Sequence, residues 1–268
     1  MTQKWAALLA LVFALATTGW ASNETILWNF TKSNGDGAYP WSNFLISDSN
    51  GNLYGVTGGG GSNSTGMVFE PSPDGHGGYA ETVLYDFKGF GSGDGSSPYG
   101  SLARDAAGHL YGTTQGGGTN GTGTVYMLSP KSGGGWTERI LYSFSASGAT
   151  DGANPSGGVI LGKNQTLYGT TTYGGAYSSG TVFQLSKTQN GSTEKVLHHF
   201  GAAGDGAYPY DPLVADPEGI SMVPPRSGAP PALVAFIASL CRTGHGRKAC
   251  SIALPAQMVT AAACTMSG

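Results

Sequence analysis

Apolar positions in this chain come in short bursts separated by glycine-rich polar stretches, and within each burst they alternate as in a strand. In Glu81-Thr82-Val83-Leu84-Tyr85-Asp86-Phe87 a period of two places Val83, Tyr85 and Phe87 on one face and Leu84 on the other. Further on, Val125 opposes Tyr126 and Leu128 in the same way. A strand that is apolar on both faces must be covered on both faces, so the pattern predicts small sheets stacked face to face.

The bursts repeat. Glu24-Thr25-Ile26-Leu27-Trp28-Asn29-Phe30 returns at Glu81–Phe87, at Glu138–Phe144 and at Glu194–Phe200, offsets of 57, 57 and 56 residues. Each copy is followed by an Asp-Gly turn with proline three residues after the glycine: Asp36-Gly37 and Pro40, Asp94-Gly95 and Pro98, Asp151-Gly152 and Pro155, Asp205-Gly206 and Pro209. A second short strand follows, as in Phe44-Leu45-Ile46 and Val159-Ile160-Leu161. The third begins Leu53-Tyr54-Gly55, Leu110-Tyr111-Gly112 and Leu167-Tyr168-Gly169, and the fourth reads Gly66-Met67-Val68-Phe69, Gly123-Thr124-Val125-Tyr126 and Gly180-Thr181-Val182-Phe183. Four short antiparallel strands per period are the signature of a β-propeller blade. A β-sandwich is the runner-up, but it does not require so regular a copy of one phrase. The expected fold is all-β, a propeller-like array of four-stranded antiparallel blades over 24–80, 81–137 and 138–193, with a partial unit at 194–219.

Composition narrows the picture. Among 268 residues there are 46 glycines and only 11% charged side chains, which favours tight turns and leaves little room for helix. A formal charge of −3 offers no extended positive face, so nucleic acid is not an expected partner. The N-terminus has a basic start at Lys4, an apolar run from Trp5 to Ala16, and small residues at Gly19 and Ala21. That is the plan of a signal peptide over 1–21, and it predicts a secreted or cell-surface protein with no membrane span after cleavage. Cys241, Cys250 and Cys264 all fall after the repeats, so the repeats hold together without disulfides.

With these phrases in hand, residues 24 to about 219 resemble the GloVer tandem repeat of exported bacterial proteins whose C-terminal ends carry varied anchors. The resemblance rests on Gly-x-Leu-Tyr-Gly-Thr-Thr, Gly-Thr-Val-Phe, Glu-x-Val-Leu-Tyr-x-Phe and Asp-Gly-x-x-Pro. It implies a propeller-like extracellular repeat protein of no established activity, and it brings no catalytic residues with it. The departure is the missing fourth Leu-Tyr-Gly.

Where that phrase is due, the chain reads Ile220-Ser221-Met222-Val223-Pro224-Pro225. Shifted by one base, codons for these residues can encode Asn or His, then Leu-Tyr-Gly-Thr-Thr. The shifted leucine codon joins residues 220 and 221, and 15 codons later a possible valine codon joins Ala235 and Phe236. Leu53 to Val68, Leu110 to Val125 and Leu167 to Val182 show the same 15-residue spacing. Residues 220–268 are therefore read as an out-of-frame, disordered tail, the bland alternative being a genuine linker. About three and a half repeats fall short of a closed ring, so the expectation is an open arc whose exposed blade faces invite self-association.

Each candidate site also has a structural role open to it. Asp36, Asp94, Asp151 and Asp205 suit calcium by chemistry, but Asp-Gly is also what a tight turn demands, and no unit has the ligand density of a calcium loop. Glu24, Glu81, Glu138 and Glu194 suit glycoside hydrolysis only if paired, and one per blade is not a pair. His198 and His199 fall on opposite faces of a strand, which favours packing or a rim position over joint metal ligation. Tyr54, Tyr111 and Tyr168, set between Leu and Gly, are expected to pack between blades rather than stack on sugars. The glycine-rich loops lack the Lys-Ser/Thr and helix of a phosphate cradle. No catalytic residue, cofactor or metal ligand is assigned. The expected function is a non-enzymatic exported repeat protein that binds polysaccharide or a cell-surface ligand. The alternatives are a propeller-scaffold carbohydrate-active enzyme and an inactive fragment.

Overall fold

The computed structural model describes residues 25–215, apart from 34, 43, 147–149 and 190, together with 220–222, 236–237, 241–242 and 247–248. The signal peptide read at 1–21 and most of the 220–268 tail lie outside the described residues. The chain is all-β, and the only helical pieces among the described residues are short 3₁₀ turns.

The first sheet contains β2 (Ile46–Ser47), β3 (Leu53–Thr57), β5 (Met67–Pro73) and β6 (Tyr79–Asp86), with a small pair, β1 (Gly37–Ala38) and β4 (Gly59–Gly60), beside it. Next come β7 (Gly95–Arg104), β8 (Leu110–Gly117), β9 (Thr124–Pro130) and β10 (Trp136–Ser143). The same plan repeats in β11 (Gly152–Leu161), β12 (Leu167–Gly174), β13 (Thr181–Thr188) and β14 (Gly191–His199). The last two sets form one eight-stranded sheet of order β10-β9-β8-β7-β11-β12-β13-β14. All its neighbours are antiparallel except β7 and β11, which share one parallel bridge, Ser101 to Gly158. Each four-strand set is thus a simple meander, and the two meanders touch through their first strands.

Register repeats with the sequence. Val56 pairs with Val68, Thr113 with Val125, and Thr170 with Val182. The repeated phrase closes each sheet rather than opening it, because β6, β10 and β14 each pair with the strand before them. The sheets therefore run out of phase with the 24–80, 81–137 and 138–193 units.

Three apolar clusters alternate with the sheets. Tyr54, Val68, Leu84 and Phe87 of the first set meet Leu102, Leu110, Tyr126 and Leu128 of the second. One period on, Tyr111, Val125, Leu141 and Phe144 meet Val159, Leu167, Phe183 and Leu185. A third cluster joins Tyr168, Val182, Leu197 and Phe200 to Leu213. Each set thus gives one face to the set before and one to the set after, which is the mutual cover that the two-sided apolar strands require.

One detail departs from simple alternation. A bulge leaves Leu84 unpaired, since Val68 faces Tyr85 and Phe69 faces Val83, and Leu141 and Leu197 are skipped in the same way. The extra residue reverses the alternation at that point. Leu84, only 8% exposed, joins the core with Phe87, while Val83 is 42% exposed.

Beyond the third set, β15 (Leu213–Ala215), β16 (Ile220–Met222) and β17 (Phe236–Ile237) form a three-stranded antiparallel sheet. β16 and β17 fall at the places where the shifted reading puts the Leu-Tyr-Gly and valine strands. A last small pair joins Cys241–Arg242 and Arg247–Lys248.

Candidate functional site

The Asp-Gly-x-x-Pro loops are built alike. One carboxylate oxygen accepts from the next glycine N–H, at 2.7 Å for Asp36, 2.6 Å for Asp94, 2.7 Å for Asp151 and 2.8 Å for Asp205. That is the turn role expected of these aspartates. The other oxygen reaches back to the preceding phrase: Asp94 accepts from Lys88 N at 2.8 Å and Tyr85 OH at 3.0 Å, and Asp151 accepts from Ser145 N at 2.7 Å. His198 takes the tyrosine position and bonds Asp205 through Nε2 at 2.9 Å, while His199 Nδ1 accepts from Ala176 N at 3.2 Å. The two histidines work separately, each holding a loop. Among the described residues, no three His, Cys, Asp or Glu side chains are grouped as a metal ion requires.

Tyr54 and Tyr111 are buried and donate to Asp48 and Asp105, each at 3.0 Å. They pack between sheets and present no face to a ligand. Several of the aromatic rings that reach solvent flank the prolines. Tyr39 is 52% and Trp41 42% exposed; they stack at 5.6 Å with an interplanar angle of 27°, and Trp41 meets Tyr99 of the next loop at 5.3 Å. Lys32 Nζ lies 5.2 Å from the Tyr39 ring centre. At the far end Tyr173 and Tyr208 meet edge to face at 5.6 Å.

Backbone geometry sets this row. Tyr39, Ser97, Asn154 and Tyr208, each just before proline, have φ of 57°, 53°, 52° and 58°. In three of them the N–H donates to the glycine-rich loop of the preceding set: Ser97 to Thr65 O, Asn154 to Thr122 O and Tyr208 to Ser179 O, all at 2.8 Å. Between the two aromatic patches the row is polar. Gln115 Nε2 donates to Ser156 Oγ at 3.0 Å, Ser156 Oγ lies 2.8 Å from Thr172 Oγ1, and Asn154 Nδ2 donates to Gln115 O at 2.9 Å.

The phrase glutamates do have acidic neighbours, contrary to the expectation that they stand alone. Burial first, and then the nearby Asp94 charge, pushes the Glu138 carboxyl up to about 7, and Glu194 is raised to about 7 by burial and Asp151. Glu81 is raised in the same sense by burial and Asp36. One oxygen of each glutamate is buried without a hydrogen-bond partner. The fold therefore favours the protonated acids. Their contribution is complete below the ordinary value near 4.5 and is lost as pH rises through about 7. The melting temperature is expected to be a few degrees higher at about pH 5.5 than at about pH 8.5, and Glu138→Gln/Glu194→Gln to flatten that difference. Equal pH dependence in the double variant would remove the glutamates as its source.

The Gloeobacter/Verrucomicrobia repeat model matches residues 9–222. The chain belongs to that family. No curated protein matches it. In this repeat the recurring positions, Leu-Tyr-Gly in the first three units and the phrase's Leu84, Leu141 and Leu197, serve packing, and Tyr85 and His198 of the phrase tether the Asp-Gly loops. The positions that vary between units, Tyr-Pro-Trp, Ser-Pro-Tyr, Asn-Pro-Ser and Tyr-Pro-Tyr, face outward or line the row. That internal variation is the sequence signal that points to the row.

Proposed function

We propose that this chain is an exported, non-enzymatic, propeller-like repeat protein whose row of proline-flanked loops binds polysaccharide. The observation that carries the reading is the exposed stack of Tyr39 and Trp41 against Tyr99, followed by a run of amide and hydroxyl groups. Flat rings take the apolar faces of sugars, and the half-buried amides of Gln115 and Asn154 are placed to meet their hydroxyls, while the buried Ser156 and Thr172 hold those amides from beneath. Gly58 N donates to Tyr39 O at 2.8 Å and Ser97 N to Thr65 O at 2.8 Å, so the loops bearing Tyr39 and Tyr99 are held before any ligand arrives, which limits the ordering entropy of binding. Four-strand meanders that cover one another favour the propeller reading, and the signal-like N-terminus favours export.

Pull-down with insoluble polysaccharides and a glycan array test the reading. Trp41→Ala is expected to weaken the glycan hits roughly two- to tenfold, at about 0.5–1.5 kcal/mol per aromatic contact. Retention of every hit by a Tyr39→Ala/Trp41→Ala variant would defeat it.

A second reading has one observation in its favour. A groove lined by Asp36, Glu81, Trp28 and Tyr79 sets a carboxylate whose pKa is lowered beside one whose pKa is raised. That is the division a glycosidase uses. The same Asp–Glu neighbours recur as Asp94–Glu138 and Asp151–Glu194, which favours a structural origin. Release of reducing ends from a polysaccharide that stops in Glu81→Gln would favour the enzyme.

A further inference from the structure

The outer strands β6, β10 and β14 differ at one place near their starts. In the register Tyr79 stands opposite Pro73, Trp136 opposite Pro130 and Ser192 opposite Lys187, so the same position holds Tyr, Trp and Ser in turn. Trp136 packs against the cluster between the first and second sets, beside Leu110 and Leu128. One period on, the two leucines return as Leu167 and Leu185 in the cluster between the second and third sets, but the indole ring does not. At that seam there is a cavity of about 120 Å³ whose walls include Tyr111, Leu141, Leu167, Leu185 and Ser192. Tyr111, Leu167 and Leu185 are buried and Leu141 is half-buried. The vacancy is written in the sequence, because serine is too short to reach where the indole reaches.

The rim of the cavity differs in charge from its counterpart one period earlier. Met127 pairs with Arg139 on β9 and β10, where the first set has Glu70 opposite Thr82. Across the seam Lys187 holds the place of Pro130, and its Nζ donates to Gln165 Oε1 at 3.3 Å. Arg139, Lys187 and Gln165 all line the cavity and are exposed. Among the described residues Arg139 enters no ion pair. The acids nearby are Glu194, two residues beyond Ser192 on β14, and Asp105, which is bonded to His109 and Tyr111; neither lines the cavity. Two cations thus stand at the rim of an apolar slot that has no carboxylate in its walls.

We propose that this seam cavity binds a small ligand made of a single aromatic ring bearing a carboxylate. The neighbouring seam supplies the argument from shape, since there the same place accepts a flat indole. The volume approaches the roughly 150 Å³ of an apolar cavity that takes up benzene. Arg139 and Lys187 supply the argument from charge, a guanidinium and an ammonium at the rim being suited to a carboxylate whose ring lies below. The walls come from both the second and the third set, so a bound ring spans the seam and stabilises the folded chain by mass action. The cavity uses none of the residues of the proline-flanked row, and either reading stands if the other fails.

The test follows the Met127 methyl group by NMR on the full chain with isotope-labelled methionine methyls, the signal being assigned by its loss in Met127→Leu. Met127 lines the cavity, so its methyl reports on this site and not on the stack of Tyr39 and Trp41. Millimolar benzoate is expected to shift the signal saturably, and benzyl alcohol, a similar ring without the charge, to bind more weakly. Arg139→Gln is expected to weaken benzoate roughly two- to fivefold, the range for an exposed ion pair, and to leave benzyl alcohol unchanged. Ser192→Trp puts a ring into the cavity from within and is expected to abolish the benzoate shift and raise the melting temperature. Ser192→Leu, a smaller filler, is expected to weaken benzoate even where the tryptophan variant does not fold. A Met127 signal that ignores benzoate, or a benzoate affinity left unchanged by filling the cavity, would overturn the proposal. Equal affinities for benzoate and benzyl alcohol would overturn it as well, since the cations would then contribute nothing.

Discussion

Replacing Phe144 by alanine is expected to cost about 3–5 kcal/mol of unfolding free energy, the range for emptying a fully buried aromatic site. The ring is 0% exposed and meets Tyr142 and Phe183 edge-on, each at 5.1 Å. It belongs to the cluster shared by the second and third sets, so its loss opens the seam between them. The backbone around it is pinned: its N–H donates to Gly123 O at 3.0 Å and its carbonyl accepts from Thr122 Oγ1 at 2.5 Å, which leaves the site little freedom to collapse. Urea unfolding followed by tryptophan fluorescence measures the cost, with Val83→Ala as the partly exposed comparison. A loss for Phe144→Ala no larger than for Val83→Ala would mean that the sets do not depend on one another's cover.

Gly158→Ala is the second large effect. At φ of 75° this residue is in the left-handed region, and an added Cβ would lie 2.2 Å from Ser101 O and 2.7 Å from Ser101 N. Those atoms are backbone and belong to the one bridge that joins β11 to β7. Left-handed strain of about 1–2 kcal/mol and overpacking of about 1–3 kcal/mol both act here, so a loss of roughly 2–5 kcal/mol is expected. Gly100→Ala faces the same seam from the other side, 2.4 Å from Gly158 N at φ of 80°. Gly133 has nothing within 4 Å and no positive φ, so Gly133→Ala serves as the neutral control in the same melting series. Equal melting temperatures for Gly158→Ala and Gly133→Ala would show that the bridge does not hold the two meanders together.

The strand content and mutual cover were legible in the chain because they are written in alternation and period. Tyr111 and Val125 face one neighbour and Leu110, Tyr126 and Leu128 the other, as two-sided strands require. The facing of Leu84 was not legible, since a bulge arises from pairing two strands and leaves no residue signature at Leu84 itself. The phase of the sheets was hidden for a related reason: repetition fixes a period but not the point at which one sheet ends. The aspartates were read as turn formers and are so, but their hold on Tyr85 and His198 depends on two segments meeting. The neighbouring Asp–Glu charges were missed for the same cause. Tyr39, Trp41 and Tyr99 were not legible as a cluster, because they occupy positions that change from unit to unit and meet only once the loops of successive sets lie side by side.

Each seam is made of the same residue types as the seam before it, and each Asp-Gly loop carries its own fastening to the phrase that precedes it. Duplication of a whole period during evolution would therefore bring both halves of a new joint into the chain at once. Such a lineage can change its reach by copying text, without inventing a contact, while leaving the proline-flanked positions free to diverge.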